Sequence, residues 1–402
     1  MRVVHVTRTT TADVPGGLEH HVEYLTSALS RRGHDAIVVR TEDLVPSPIY
    51  QSRTDGAELM PGRTHLSIAQ KLGGCLDTLR TFAHRLDQNR HAEEIARHIK
   101  KLRPDIIHQH TYLGGLRLAC LLSRSYPLVF TNHTGAYLFF ERNSGTRLAQ
   151  HHFMRVFHAV IGPSRELVPP LHNSYYIPNG VDTDKFKPVP EDVRCQLREK
   201  WNCQDRKVFI CPRRWAPTKG VIYLAEALGQ IDAETLAKSV FLFAGNETPS
   251  YGTYQHAVRA TLNRCPRGDI RILGNMSHDN LTELLNISDA CIIPSLMEAT
   301  SLSCLESMAC GTPVLGTTTG GLLELIEDGR NGWLVPIKDS VALAVQIHRI
   351  AGMEAADLAP FREAVLATVQ EQYTWKAAAC ATERVYQAAL HHRSATQFRL
   401  HR

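Results

Sequence analysis

The sequence predicts an α/β protein of two domains, each built on a parallel sheet flanked by helices. Three observations carry this. At 402 residues the chain exceeds what one core usually supports, so two domains of roughly 200 residues or somewhat fewer are expected. Short, almost wholly apolar runs recur along it, as buried parallel strands do, and stretches of helical spacing separate them. Residues 289 to 324, DACIIPSLMEATSLSCLESMACGTPVLGTTTGGLLE, place a strand, a turn and a helix start in immediate succession.

Residues 2 to 7 (RVVHVT) read as a buried strand, followed by a polar loop ending in Gly16-Gly17. Leu18, Val22, Leu25 and Leu29 recur at helical spacing, and Gly33 closes that helix as its C-cap. Residues 36 to 40 are the next strand. The glycine pair alone is not the G-x-G-x-x-G dinucleotide fingerprint, which lowers a dehydrogenase reading; a plain tight turn explains it as well. Residues 41 to 65, rich in Pro, Ser, Thr and Gly, read as a mobile loop. Residues 104 to 108 (PDIIH) form a strand reaching His110. His108 and His110 have metal-ligand chemistry, but no partner cluster accompanies them in sequence, and a strand end is the plainer reading. Another strand spans 128 to 131, and His133 lies just beyond it, where open α/β sheets bind ligands; a satisfied structural histidine is the alternative.

Strands are also expected at 159 to 163, 207 to 211, 240 to 244 and 270 to 274, with a charged helix at 191 to 201. The string RRWAPTKG (213 to 220) falls between a strand and a helix, so its cations are more than loop decoration. NGWLVP (331 to 336) is a short buried segment. An alanine-rich helix from about 374 to 392, containing Trp375, Val385 and Tyr386, is expected to cross back to the first domain, ahead of a basic, disordered tail (393 to 402). The domains expected are therefore 1 to 180 and 207 to 373, joined by an interdomain segment, 181 to 206.

Within 289 to 324 the strand Ala290 to Ile293 stops at Pro294-Ser295, and a helix begins near Thr300 or Ser301. Gly311-Thr312-Pro313 breaks that helix, Val314 to Gly316 is a second strand, and Thr317 to Gly321 reads as a flexible polar loop. A helix start after a strand is an anion site, because unpaired N–H groups and the positive dipole end converge there. Glu298 and Glu306 flank it, eight positions apart, which along a helix is about 12 Å. Glycosidase carboxylates flank one bond at roughly 5 to 9.5 Å. This pair is better placed to grip opposite ends of a long ligand with a phosphate centre and hydroxyl-rich ends. An exposed glutamate at each place is the bland alternative.

The string resembles the donor-site signature of glycosyltransferase family 4, retaining enzymes of the GT-B fold: Pro-Ser, Glu-Gly-Phe-Gly, then Glu-Ala-Met-Ala-Cys-Gly-x-Pro-Val. The resemblance implies two Rossmann-like domains facing across a cleft, with the donor mainly on the second and the acceptor mainly on the first. It implies that Glu298 meets the donor sugar hydroxyls and Glu306 the ribose hydroxyls. Ser301 and Leu302 would supply the helix start that meets the diphosphate. RRWAPTKG is similar to the family's Gly-Arg-Leu, three residues, Lys-Gly, which puts Arg214 and Lys219 on the leaving diphosphate. His133 would contact the transferred sugar. Gly16-Gly17 would face the acceptor and the donor phosphates, and the strand ending at Gly274 would pass the nucleotide base. Asp182-Thr183-Asp184 has the D-x-D form by which some other glycosyltransferases hold a cation, but NGVDTDKFKP resembles the family's interdomain signature, so no metal and no cofactor are expected. Ala299, Ser301 and Arg213 stand where the family usually has glycine.

The activity expected is transfer of a hexose or N-acetylhexosamine from a UDP- or GDP-sugar to a hydroxyl acceptor (a sugar, glycolipid or small molecule) with retention, in polysaccharide, lipopolysaccharide or glycolipid biosynthesis. Two other readings stay open: a nucleotide-sugar 2-epimerase of GT-B fold, and a non-catalytic nucleotide-sugar-binding protein. Composition is that of an ordinary globular protein, 43% hydrophobic and 21% charged. A net charge of +5 without a nucleic-acid motif argues against nucleic-acid binding. Ten scattered cysteines without a C-x-x-C pair, no signal-peptide shape and no long apolar run suit a cytoplasmic protein. Residues 62 to 103 carry nine Lys or Arg against four acids, with leucines at 72, 76, 79 and 86. An amphipathic basic helix there would suit peripheral contact with an anionic membrane; a solvated basic face is the plainer reading.

Overall fold

The computed structural model describes residues 1–8, 16–44, 91–111, 115–133, 144–245, 251–265 and 268–400. They divide into two compact units, one of Met1–Pro163, Leu167–Ile177 and Ala379–Arg402, the other of Ser164–Glu166 and Pro178–Ala378.

The first unit holds a six-stranded sheet of β1 (Arg2–Thr7), β2 (Asp35–Arg40), β3 (Ile106–Gln109), β4 (Leu128–Thr131), β5 (Ala159–Gly162) and β6 (Ser174–Tyr176), in the order β2-β1-β3-β4-β5-β6. All its pairings are parallel. The central strands are buried on both faces, as helix-covered parallel strands must be: β3, β4 and β5 expose no residue. The first helix, Gly17–Arg31, turns Val22, Leu25 and Leu29 inward, and Gly33 after it takes φ +84°, a conformation that glycine adopts without strain.

The second unit repeats the plan with β7 (Lys207–Cys211), β8 (Ser239–Phe243), β9 (Asp269–Ile272), β10 (Ala290–Ile293), β11 (Val314–Thr317) and β12 (Gly332–Val335), in the order β12-β11-β10-β7-β8-β9, again wholly parallel. Strand periodicity divides its core in two. Val208, Ile210, Leu242, Cys291 and Ile293 belong to one apolar cluster, and their neighbours Phe209, Cys211, Phe241, Phe243 and Ile292 to the other. The helix Glu191–Lys200, expected near an interdomain segment, is tied into this unit. Its Arg194 and Arg198 pair with the buried Asp289 at 3.1 and 3.5 Å, and Asp289 also accepts from the Val208 N–H.

Several expectations need correction. The alanine-rich helix runs unbroken from Trp375 to Leu400, because 393 to 400 contain no glycine or proline to end it. Thr41–Leu44, taken as the start of a mobile loop, is a short helix; residues 45 to 65 lie outside the described residues. So does the basic stretch as far as residue 90, with its leucines at 72, 76, 79 and 86. From 91 to 101 it is helical, and Ala92, Ile95, Ala96 and Ile99 are buried in the first unit while Lys100 and Lys101 are exposed. The apolar face there is used by the core, and the charges form a solvated face. Among the described residues all nine cysteines are free, and no helix is long and apolar enough to cross a membrane.

Candidate functional site

In a doubly wound sheet the ligand crevice lies at the carboxyl ends of the strands where the order reverses. In the second unit that point is between β7 and β10. β7 runs out into Arg213, and β10 into Ser295 and Glu298. The turn 217 to 220 presses against the end of β10. Gly220, at φ +65°, leaves no room for a side chain: a Cβ there would lie 1.9 Å from the Pro294 carbonyl oxygen. The Leu296 N–H donates to Thr218 at 2.9 Å across the same contact. This brings Lys219 to Glu298.

Glu298 is gripped from both sides. Arg213 donates to its Oε1 and Lys219 to its Oε2, each at 2.5 Å, with Arg213 and Glu298 both nearly inaccessible. Burial alone would raise the Glu298 carboxyl, yet Arg213 and Lys219 hold it down at about 2. Burial, with Arg213 beside it, brings the Lys219 ammonium down to about 8 against the pull of Glu298. Arg213 also donates to the hydroxyls of Ser301 (3.4 Å) and Ser303 (3.2 Å). Those serines open the helix Leu302–Ala309: Ser301 is its N-cap and accepts from the Cys304 N–H. Glu298 therefore sits in the loop ahead of the helix, and its distance from Glu306 is not the helical rise the spacing suggested.

Ala299, Ser301 and Arg213, the three departures from glycine, all avoid positive φ, and Ser301 is extended at φ −74°. Space is made elsewhere. A Cβ at Gly245 would fall 1.9 Å from the Arg213 carbonyl oxygen, and one at Gly320 (φ +42°) 1.9 Å from that of Glu298. The loop 317 to 321 is not the loose connector expected. Gly321 N–H donates to the Glu298 carbonyl at 3.0 Å, Thr319 Oγ1 to that of Leu296 at 3.1 Å, and Thr317 Oγ1 to that of Ser295 at 2.5 Å.

The Glu306 side chain, on the same helix, forms no hydrogen bond or ion pair among the described residues, and burial pushes its carboxyl up to about 7 despite Arg213 and Lys185. Arg214 is exposed and likewise makes no side-chain hydrogen bond among the described residues. Gly274 takes φ +69° just after β9, a backbone that side chains adopt only with strain, although nothing stands within 4 Å of a Cβ there. Asp182 caps its own turn, accepting from the N–H groups of Asp184 (3.1 Å) and Lys185 (3.3 Å).

In the first unit the order reverses between β1 and β3, and their register sets His5 beside His108. Here the reading that His108 and His110 lack partners is wrong. His5, His21 and His133, distant in sequence, converge on them. Two trios, His5 with His108 and His110, and His21 with His110 and His133, bring ligand atoms within 4.8 Å of one another, within reach of a metal ion. The same nitrogens already bond to each other: His5 Nδ1 with His110 Nε2 at 3.0 Å, and His110 Nδ1 with His133 Nε2 at 3.1 Å. His108 bonds to Tyr386 Oη (2.7 Å) and Thr131 Oγ1 (2.6 Å). Burial, reinforced by the neighbouring rings, lowers His5 to about 3 and holds His108, His110 and His133 well below the usual imidazole range. Gly16 and Gly17 open the first helix; Gly16 is extended and a Cβ there would meet only the end of the Glu19 side chain, at 2.6 Å, while nothing stands within 4 Å of a Cβ at Gly17.

Two family profiles match the chain: one described as Glycosyltransferase Family 4 over residues 15–185, and one described as Glycosyl transferases group 1 over residues 194–360. The glycogen synthase of Mycobacterium tuberculosis is 26% identical, with 97% of this chain and 95% of that protein covered. The alpha-D-kanosaminyltransferase of Streptomyces kanamyceticus is 26% identical over 64% of this chain and 71% of its own. Among solved structures, the sucrose-phosphate synthase of Thermosynechococcus elongatus superposes with a TM-score of 0.73 at 21% identity, covering 96% of this chain and 98% of that one. Anabaena Alr3699/HepE in complex with UDP and glucose gives 0.70 at 18% identity, covering 96% and 100%. With two parallel six-stranded sheets and matching profiles over both units, the chain belongs to the family 4 glycosyltransferases of GT-B fold.

Proposed function

We propose that this glycosyltransferase moves a hexose or N-acetylhexosamine from a nucleoside diphosphate sugar to a hydroxyl acceptor, with retention and without a metal ion. The observation that carries this is Glu298, fixed between Arg213 and Lys219 beside the start of the helix Leu302–Ala309, with Glu306, whose side chain is unpaired among the described residues, further along that helix. In this reading Glu298 accepts from donor sugar hydroxyls and Glu306 from the ribose. The helix start, Ser301, Lys219 and the exposed Arg214 hold the diphosphate. Arg213 is a brace that keeps Glu298 ionised and oriented. His133 contacts the transferred sugar, as the resemblance implies.

The chemistry needs no nucleophile from the protein. The bond from the anomeric carbon to the diphosphate oxygen breaks through an oxocarbenium-like state, and the acceptor oxygen bonds on the same face. The acceptor proton passes to the leaving diphosphate oxygen. Cations that neutralise this oxygen as it leaves lower the barrier. UDP and GDP sugars are the donors favoured, since relatives are named for GDP-mannose and one structural neighbour was solved with UDP-glucose. The test is turnover of a panel of UDP-, GDP- and ADP-sugars with sugar and glycolipid acceptors in excess EDTA. Release of nucleoside diphosphate with an α-linked product from an α-donor is expected. Activity abolished by EDTA and restored by Mg²⁺ or Mn²⁺ refutes metal independence, and an inverted product refutes retention.

A further inference from the structure

Three histidines in the first unit form a chain of ring-to-ring hydrogen bonds. It runs from His5, inside β1, through His110, just past β3, to His133, just past β4. His5 and His110 are completely buried, and His5 Nε2 has no hydrogen-bond partner among the described residues. No hydrogen bond involves His133 Nδ1 among the described residues. Burial and the proximity of the other rings keep all three neutral at ordinary pH.

A neutral imidazole carries one proton, so each ring donates from one nitrogen and accepts at the other. That makes the chain directional, and only two arrangements satisfy both bonds. In one, His133 donates from Nε2 to His110, His110 donates from Nε2 to His5, and a proton is left on His5 Nε2, buried with nothing to accept it. In the other, His5 donates from Nδ1, His110 donates from Nδ1, and His133 accepts at Nε2. The buried end is then only an unused lone pair. Orphaned buried N–H groups are rarer and costlier than under-used acceptors, so the second arrangement is preferred.

We infer that His110, in a chain anchored by His5, is a positioning residue that fixes His133 as its Nδ1–H tautomer, so that His133 presents a donor and not an acceptor. For the transfer reaction this rests on the reading above: a sugar hydroxyl meeting His133 Nδ1 would accept a hydrogen bond there. The tautomer itself does not depend on that reading.

The test is NMR on the full-length protein with ¹⁵N- and ¹³C-labelled histidine, at neutral pH in EDTA, comparing wild type with His110→Phe and His110→Asn. In wild type, His5, His110 and His133 should all show protonated Nδ1 and bare Nε2. His110→Phe removes the donor to His133 Nε2, and the two ring nitrogen shifts of His133 should exchange as it reverts to the Nε2–H form. His110→Asn, whose amide nitrogen can replace the lost donor, should keep the Nδ1–H form. Wild-type His133 protonated at Nε2, or rings of mixed tautomer along the chain, overturns the inference. So does His110→Phe that leaves His133 unchanged. Should His110→Phe not fold, the wild-type pattern and His110→Asn still decide.

Discussion

Replacing Arg213 by methionine keeps most of the side chain's bulk and removes one of the two cations gripping Glu298. The folded-state carboxyl lies at about 2 against an ordinary 4.5. At about 1.36 kcal/mol per pKa unit that is on the order of 3 kcal/mol favouring the ionised form. Lys219 remains in the variant, so the loss is smaller than for an unpaired buried charge, on the order of 2 kcal/mol. The sign follows from a lowered carboxylate: its stabilisation is full above the unfolded value of 4.5 and fades as pH falls toward about 2. The gap between wild type and Arg213→Met should therefore be largest at neutral pH and narrow below pH 4.5. Arg214→Met, at an exposed side chain, should stay within about 0.5 kcal/mol of wild type. Urea unfolding followed by tryptophan fluorescence is the assay. Trp201, Trp215, Trp333 and Trp375 all lie in the second unit, so the signal reports on that unit alone. Equal midpoints for the two variants, or a gap that widens on acidification, would refute the reasoning.

Kinetics should separate the same residues differently. Arg214→Ala and Lys219→Ala should each lower kcat by roughly a hundred- to a thousandfold, the usual effect of losing one contact to a developing oxyanion; kcat near wild type at saturating donor would misplace the diphosphate. The donor kcat/KM should be bell-shaped, falling below pH about 7 as Glu306 takes a proton and above about 8 as Lys219 loses one. A pH–rate series should show the acid limb removed by Glu306→Gln and the alkaline limb moved upward by Lys219→Arg. Gly320→Ala would push a methyl toward the Glu298 carbonyl at a positive φ, so it should destabilise by about 1 kcal/mol or more and raise the donor KM; donor kinetics unaffected by it would detach this loop from the site.

The fold was legible because both sheets are parallel and their central strands are buried on both faces, so a strand such as ACII reads as a short apolar run bounded by turn residues. The strand, turn and helix around Glu298 were legible because they are close in sequence: Glu298, the Ser301 cap and Glu306 span one turn and one helix. What escaped is what the sheet brings together from afar. His5 meets His108 and His110 through a β1–β3 pairing across about a quarter of the chain, a register that no local pattern encodes. Arg213 read as a misplaced glycine because its partner, Glu298, stands 85 positions away. The loop 317 to 321 read as flexible because its Thr and Gly residues are typical of loops, and the carbonyls that fix them lie on the preceding β10 turn.

Calorimetric titration of UDP-, GDP- and ADP-sugars into wild type and Glu306→Ala tests the central claim most directly. The reading of the second unit as the donor site predicts that wild type binds at least one of them. It also predicts that Glu306→Ala weakens that binding by about 1.5 to 3 kcal/mol, the worth of a hydrogen bond to a charged group, or roughly ten- to a hundredfold in Kd. Wild type that binds none of the three classes, or Glu306→Ala that binds as tightly as wild type, would contradict it.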